Sequence, residues 1–130
     1  MHDNMTNLRS PVAKGSSKSA EATKHFMMQR VTALALIPLV IWFCFSIALL
    51  PQVTYEVLVS WLKSPFNFVM MFLTLIISFK HAHLGMQVIF EDYISNLKRR
   101  SMAILAVKLL SYLSMAIGVL SLLKIVVGGQ

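Results

Sequence analysis

Charge is what this sequence has least of. Only 13% of its 130 residues are Asp, Glu, Lys or Arg, against 57% hydrophobic, where a soluble domain carries about a quarter charged. A water-soluble globule is excluded, and the chain reads as a membrane protein. Acids are the scarcer sign, five Asp and Glu against twelve Lys and Arg. Cysteine occurs once, as Cys44 inside an apolar run, so this chain alone can build no disulfide, zinc cluster or iron–sulfur cluster. Cys44 is expected as a small buried apolar residue. The five glycines never gather into a phosphate-binding loop, and no Ser/His/Asp arrangement stands out. Enzymatic chemistry must come from bound cofactors or from partners. Internal repeats are also absent.

What is abundant is long apolar runs. Residues 31–50, "VTALALIPLVIWFCFSIALL", hold no charge and supply the roughly 20 residues that a helix needs to cross the hydrocarbon core. A second span is expected over 66–90 and a third over 102–127, giving an all-α protein of three transmembrane helices (31–130) behind a basic tail (1–30). These helices are expected to pack into a bundle. Pro38 is expected to bend the first helix, its missing donor being tolerated beside neighbouring helices. The segment 51–65, "PQVTYEVLVSWLKSP", is bracketed by prolines and carries Tyr55 and Trp61, which suits a short helix at headgroup level. The Lys/Ser/Ala-rich part of the tail is expected to be mobile. That tail lacks the short apolar core and small-residue cleavage site of a signal peptide, so the first helix is expected to be retained.

Basic residues set the expected orientation, because Lys and Arg are held on the inner side during insertion. Arg9, Lys14, Lys18, Lys24 and Arg30 precede the first span, and Lys98, Arg99 and Arg100 follow the second, whereas the first loop has only Lys63. Both signals place the N-terminus and the loop 91–101 inside. Topology therefore accounts for the basic excess, and no nucleic-acid partner is called for.

The second span breaks the apolar pattern. "SFKHAHLGMQVIFEDYI", residues 78–94, carries a lysine, two histidines, a glutamine and two acids. At about 100° per residue, Thr74, Gly85, Val88 and Asp92 fall within about 40° of His81. A polar and small stripe on a membrane helix marks a face turned to other helices or to a cavity. A neutral imidazole there can ligate haem iron, and a glycine one turn away clears space for a flat porphyrin. A histidine hydrogen-bonded to a neighbouring helix satisfies the same pattern. His83 lies about 200° from His81 and cannot serve the same iron. With His2 and His25 in the tail, a second axial ligand points to a partner chain. At the end of the span, Tyr93 can donate a hydrogen bond to a quinone carbonyl and Asp92 can orient it, although tyrosines also populate interfacial belts as simple anchors. Lys80, Gln87 and His83 form a second polar stripe, and Lys108 has no evident partner; Lys124 can snorkel outward. A transporter built on an intramembrane carboxylate is disfavoured, since both acids sit at the helix end. A stand-alone cytochrome b is disfavoured because histidines occur in one span only.

"HFMMQRVTALALIPL" at 25–39 and "HAHLGMQVIFEDYI" at 81–94 resemble the small cytochrome b membrane anchor of succinate dehydrogenase, respiratory complex II. The pattern is a basic tail, Q-R-V-T-A at the start of the first helix, three spans, and H-A-x-x-G-M followed by a short spacer and E/T-D-Y. The likeness extends over the chain from about Ser19 onward. It implies that His81 supplies one axial ligand to a b-type haem shared with the other cytochrome b anchor of that enzyme, with Gly85 beside it and Arg30 near a propionate. It implies that Tyr93, with Asp92, binds ubiquinone at a site shared with that second anchor and the iron–sulfur subunit. Succinate would be oxidised on the flavoprotein subunit, and this chain would be a non-catalytic anchor. Lys24 stands where many relatives have a further histidine. The short basic tail, unlike an Arg-rich, acid-free presequence, is expected of a bacterial inner membrane, the mitochondrial inner membrane being the alternative, and some complex II anchors carry no haem.

Overall fold

The uncharged run at 31–50 does not begin its own helix. In the computed structural model, which describes residues 10–128 and side chains from residue 19 onward, α1 spans Ser10–Ala48 without interruption. The stretch expected to be mobile is therefore helical. Good helix formers such as Ala20, Glu21, Ala22 and Lys24 sit directly before the apolar run, and adding residues to an existing helix avoids the cost of nucleation. α1 also passes through Pro38 unbroken. Its end is set by Pro51, which has no N–H and restricts the residue before it; the last bonds are Leu49 N–H to Phe45 O and Leu50 N–H to Ile47 O.

A short α2, Tyr55–Lys63, fills the proline-bracketed segment. The Thr54 hydroxyl accepts from Val57 N–H at 3.4 Å, and Glu56 and Lys63 occupy the first and last turns, where they complement the helix dipole. Trp61 stacks on Trp42 of α1 at 5.6 Å between ring centroids, and Phe43 and Phe66 meet the same pair edge-on. This aromatic knot fixes the elbow. α3, Pro65–Tyr93, follows at once with Pro65 in its first turn, the position at which a missing N–H costs nothing. The Asn67 amide donates to Trp61 O at 3.0 Å and ties the two helices.

The turn into α4, Leu97–Gly128, is closed by Asn96, whose side-chain oxygen accepts from Lys98 N–H at 3.0 Å, and by Arg100, whose Nε donates to Ile94 O at 2.9 Å. α3 is the central element. α1 and α4 both pack against it, and among the described residues no Cα atom of α1 comes within 8 Å of one in α4. Gly118 lets α4 approach closely, since a methyl group there would lie 2.9 Å from Leu75 Cδ2. Only Thr32, Leu39, Leu84 and Leu122 are buried among the described residues, while Leu34, Phe45, Leu109, Leu113 and Leu120 stand exposed. Such a surface is stable only in lipid or against other apolar helices. α1, α3 and α4 are all long and apolar enough to cross a membrane, with α2 lying between the first two.

Candidate functional site

His25, Gln29 and Thr32 recur at helical spacing on α1, and residues three and four apart share a face. That face meets the stripe of α3 that carries His81 and Gly85. At its centre Thr32, only 6% exposed, holds its hydroxyl oxygen 2.8 Å from Met28 O, 3.0 Å from Gln29 O and 3.0 Å from His81 Nδ1. His81 is half-buried. One turn along, a methyl group on Gly85 would stand 3.4 Å from Gln29 Nε2, so the glycine faces α1. The Gln29 Oε1 atom is buried without a hydrogen-bond partner.

Beyond this contact the two helices part into an open cleft of about 690 Å³, lined among others by Glu21, His25, Gln29, Gly85, Val88 and Glu91. Gln87 Nε2 donates to Glu91 Oε1 at 2.9 Å at its mouth. Phe26 also lines the cleft, and the Arg30 guanidinium lies over its ring, 4.7 Å from the centroid. Arg30 itself is exposed. A cation over an aromatic face is attracted by the ring quadrupole, which holds the guanidinium beside the cleft.

The predicted residues thus divide into two groups. His81 and Gly85 are brought against α1, Gly85 on the cleft wall and His81 beside Thr32 outside the cleft lining, with Arg30 held near the cleft. Asp92 and Tyr93 are exposed in the last turn of α3, Tyr93 at 84%, and neither lines the cleft; the acids that do are Glu91 of α3 and Glu21 of α1. Of the second stripe, Lys80 is exposed, Gln87 pairs with Glu91, and the His83 ring sits 6.1 Å from that of Tyr112 on α4. Lys108 is exposed as well. Cys44, expected to be buried, is exposed, because its side of α1 faces away from α3. His2 and Arg9 lie outside the described residues. Among the described residues no three His, Cys, Asp or Glu side chains converge as a metal cluster would require; an axial haem ligand needs only one histidine from a chain. Thr32 and Gln29 were not singled out from sequence. The available signal was their phase, three residues apart at the start of the first span in "QRVTA".

The sequence profile described as succinate dehydrogenase/fumarate reductase transmembrane subunit matches residues 6–115. This chain belongs to that family. It is similar to the succinate dehydrogenase hydrophobic membrane anchor subunit of Rickettsia bellii, at 35% identity over 78% of this chain and 82% of the relative. The corresponding anchor of Rickettsia conorii is 37% identical over 75% of this chain and 78% of its own length. The membrane anchor subunit of Reclinomonas americana is 28% identical over 72% of this chain and 81% of that protein. With its three apolar helices, the chain is a multi-pass succinate dehydrogenase anchor of the bacterial inner membrane.

Proposed function

We propose that this anchor provides one axial ligand to a b-type haem and part of a ubiquinone-reduction site, while joining the flavoprotein and iron–sulfur subunits to the membrane together with a second cytochrome b anchor. The observation that carries the haem reading is the state of His81: Nδ1 is engaged by the buried Thr32 hydroxyl, and Nε2 makes no hydrogen bond to any described residue. A half-buried imidazole with one nitrogen held and the other free has the donor arrangement of an axial ligand. Gly85, with no side chain on the cleft wall, and Arg30, held beside it on Phe26, suit a flat group bearing carboxylates. A bound haem would supply a one-electron store beside the quinone.

At the end of α3, the Tyr93 hydroxyl donates to a quinone carbonyl and the Asp92 carboxylate orients the phenol. Their exposure leaves that half of the pocket to be completed by partner subunits, as the resemblance implies. Lys98, Arg99 and Arg100 lie just beyond Tyr93, and retention of basic residues on the inner side puts this end, with the N-terminus, on the cytoplasmic face. Succinate oxidation belongs to the flavoprotein and not to this chain.

A second reading, an anchor with no haem, is favoured by one observation: the His81–Thr32 hydrogen bond already joins α1 to α3 without any ligand. The two are separated by an optical difference spectrum of the purified complex, reduced first with succinate and then with dithionite. A b-type band that disappears in His81→Ala, with succinate oxidation by an artificial dye retained, is the expected result. Full haem content in His81→Ala overturns the ligand assignment, and no band in the unaltered complex establishes the haem-free anchor.

A further inference from the structure

The Thr32 hydroxyl has one proton and three oxygen or nitrogen neighbours, and counting that proton decides what it does to His81. A hydroxyl donates once and accepts through its lone pairs. Two of its neighbours, Met28 O at 2.8 Å and Gln29 O at 3.0 Å, are carbonyl oxygens and can only accept. If the proton pointed to His81 Nδ1 instead, the hydroxyl would face both carbonyls lone pair to lone pair at these distances, in a site only 6% exposed, where an unmet polar contact is most costly. The proton therefore goes back to the turn of α1, the usual arrangement for a threonine inside a helix. What remains for His81 is a lone pair. Nδ1 at 3.0 Å must be the protonated nitrogen, and Nε2 is left with its lone pair free.

From this we infer that Thr32 is a positioning residue for His81: its hydroxyl, anchored by the Met28 and Gln29 carbonyls, fixes the Nδ1–H tautomer and the ring orientation and so presents Nε2 as the metal-binding atom. The assignment rests on the haem reading of His81 proposed above. It extends that reading to a residue on a different helix, 49 positions away in sequence. An acceptor on the far nitrogen makes the imidazole more basic, which strengthens its bond to iron and favours the ferric over the ferrous state. The same hydrogen bond also makes the seating of α1 against α3 a determinant of ligand geometry.

The test uses the whole complex, purified with all of its subunits. Thr32→Val keeps the shape and removes the acceptor, Thr32→Ala removes it without any crowding, and Thr32→Ser restores it. Losing the hydrogen-bond partner of a metal ligand weakens metal binding by about ten- to a hundredfold. Transfer of haem from the complex to excess apomyoglobin should therefore be faster by about tenfold or more in both Thr32→Val and Thr32→Ala. The haem midpoint potential should rise in both, and both readouts should return towards the starting values in Thr32→Ser. Flavin content and dye-linked succinate oxidation stay unchanged, because the change lies far from succinate chemistry. Equal haem retention and equal potential in Thr32→Val or Thr32→Ala and the unaltered complex overturn the role of Thr32. His81→Ala run in parallel keeps the two claims apart: haem lost there but unaffected by Thr32→Val sinks only this inference, whereas haem kept in His81→Ala sinks the ligand reading beneath it.

Discussion

Two glycines of this chain face neighbouring helices, and a methyl group would be received differently at each. At Gly85 the added carbon would lie 3.4 Å from Gln29 Nε2, an ordinary contact, while alanine gains about 0.5–1 kcal/mol over glycine inside a helix. Gly85→Ala is therefore expected to leave stability and haem content close to the original. Gly85→Leu fills the cleft wall, and spectra of the purified complex should show haem lost while the subunits remain assembled. Unchanged haem in Gly85→Leu would mean that the cleft is not where the group sits. For Tyr93, exposed at the end of α3, Tyr93→Phe removes one hydrogen bond worth about 0.5–1.5 kcal/mol, so quinone reduction should slow by about two- to tenfold with dye-linked succinate oxidation unaffected. Equal quinone kinetics in Tyr93→Phe would rule out the phenol as a ligand. The identity of His81, Gly85, Asp92 and Tyr93 as candidates was legible in one short run of sequence because they interrupt an apolar helix. The partner of His81 was not, since Thr32 lies on another helix and only the fold brings them within 3.0 Å.

Among the elements, hydropathy and proline placement set out most of the architecture. Apart from Leu49 and Leu50, residues 31–50, 66–90 and 102–127 fall inside α1, α3 and α4, and Pro51 and Pro65 frame the elbow helix α2. The start of α1 escaped the same reading because hydropathy marks where a chain enters lipid and says nothing of a helix that continues into water. The α3–α4 seam depends on Gly118, where a methyl group would come within 2.9 Å of Leu75 Cδ2. Overpacking of this kind costs about 1–3 kcal/mol, somewhat offset by better helix propensity. Gly118→Ala should lower the temperature at which the anchor leaves the purified complex, and the same substitution in a Leu75→Ala background should cost less. A double-mutant cycle with no coupling between the two positions would remove this contact from the seam.

At the level of the whole molecule, a row of three long helices with four buried residues among those described leaves most of its surface for lipid and for partner subunits. Its orientation can be tested without the partners' structures. In a Cys44→Ser background, a single cysteine placed at Ser95, in the turn between α3 and α4, should react with a membrane-impermeant maleimide in inside-out vesicles and stay unlabelled in sealed right-side-out ones. The reverse pattern would invert the topology and place the Tyr93 end away from the cytoplasm. The sequence speaks to orientation only through a bias in Lys and Arg, and a helical bundle has the same internal geometry whichever way it is inserted.

The unbroken run of α1 from Ser10 through Ala48 has a mechanical consequence. Thr32 stands about 22 residues, hence about 33 Å, along the same rod from its first turn. A helix without a hinge carries rotation and axial sliding along its length, so a partner gripping the Ser10 end would bear on the angular phase at which Thr32 meets His81, alongside the packing of α1 on α3. The segment that hydropathy leaves out of the membrane is thus the handle of a lever whose working tip lies beside the imidazole.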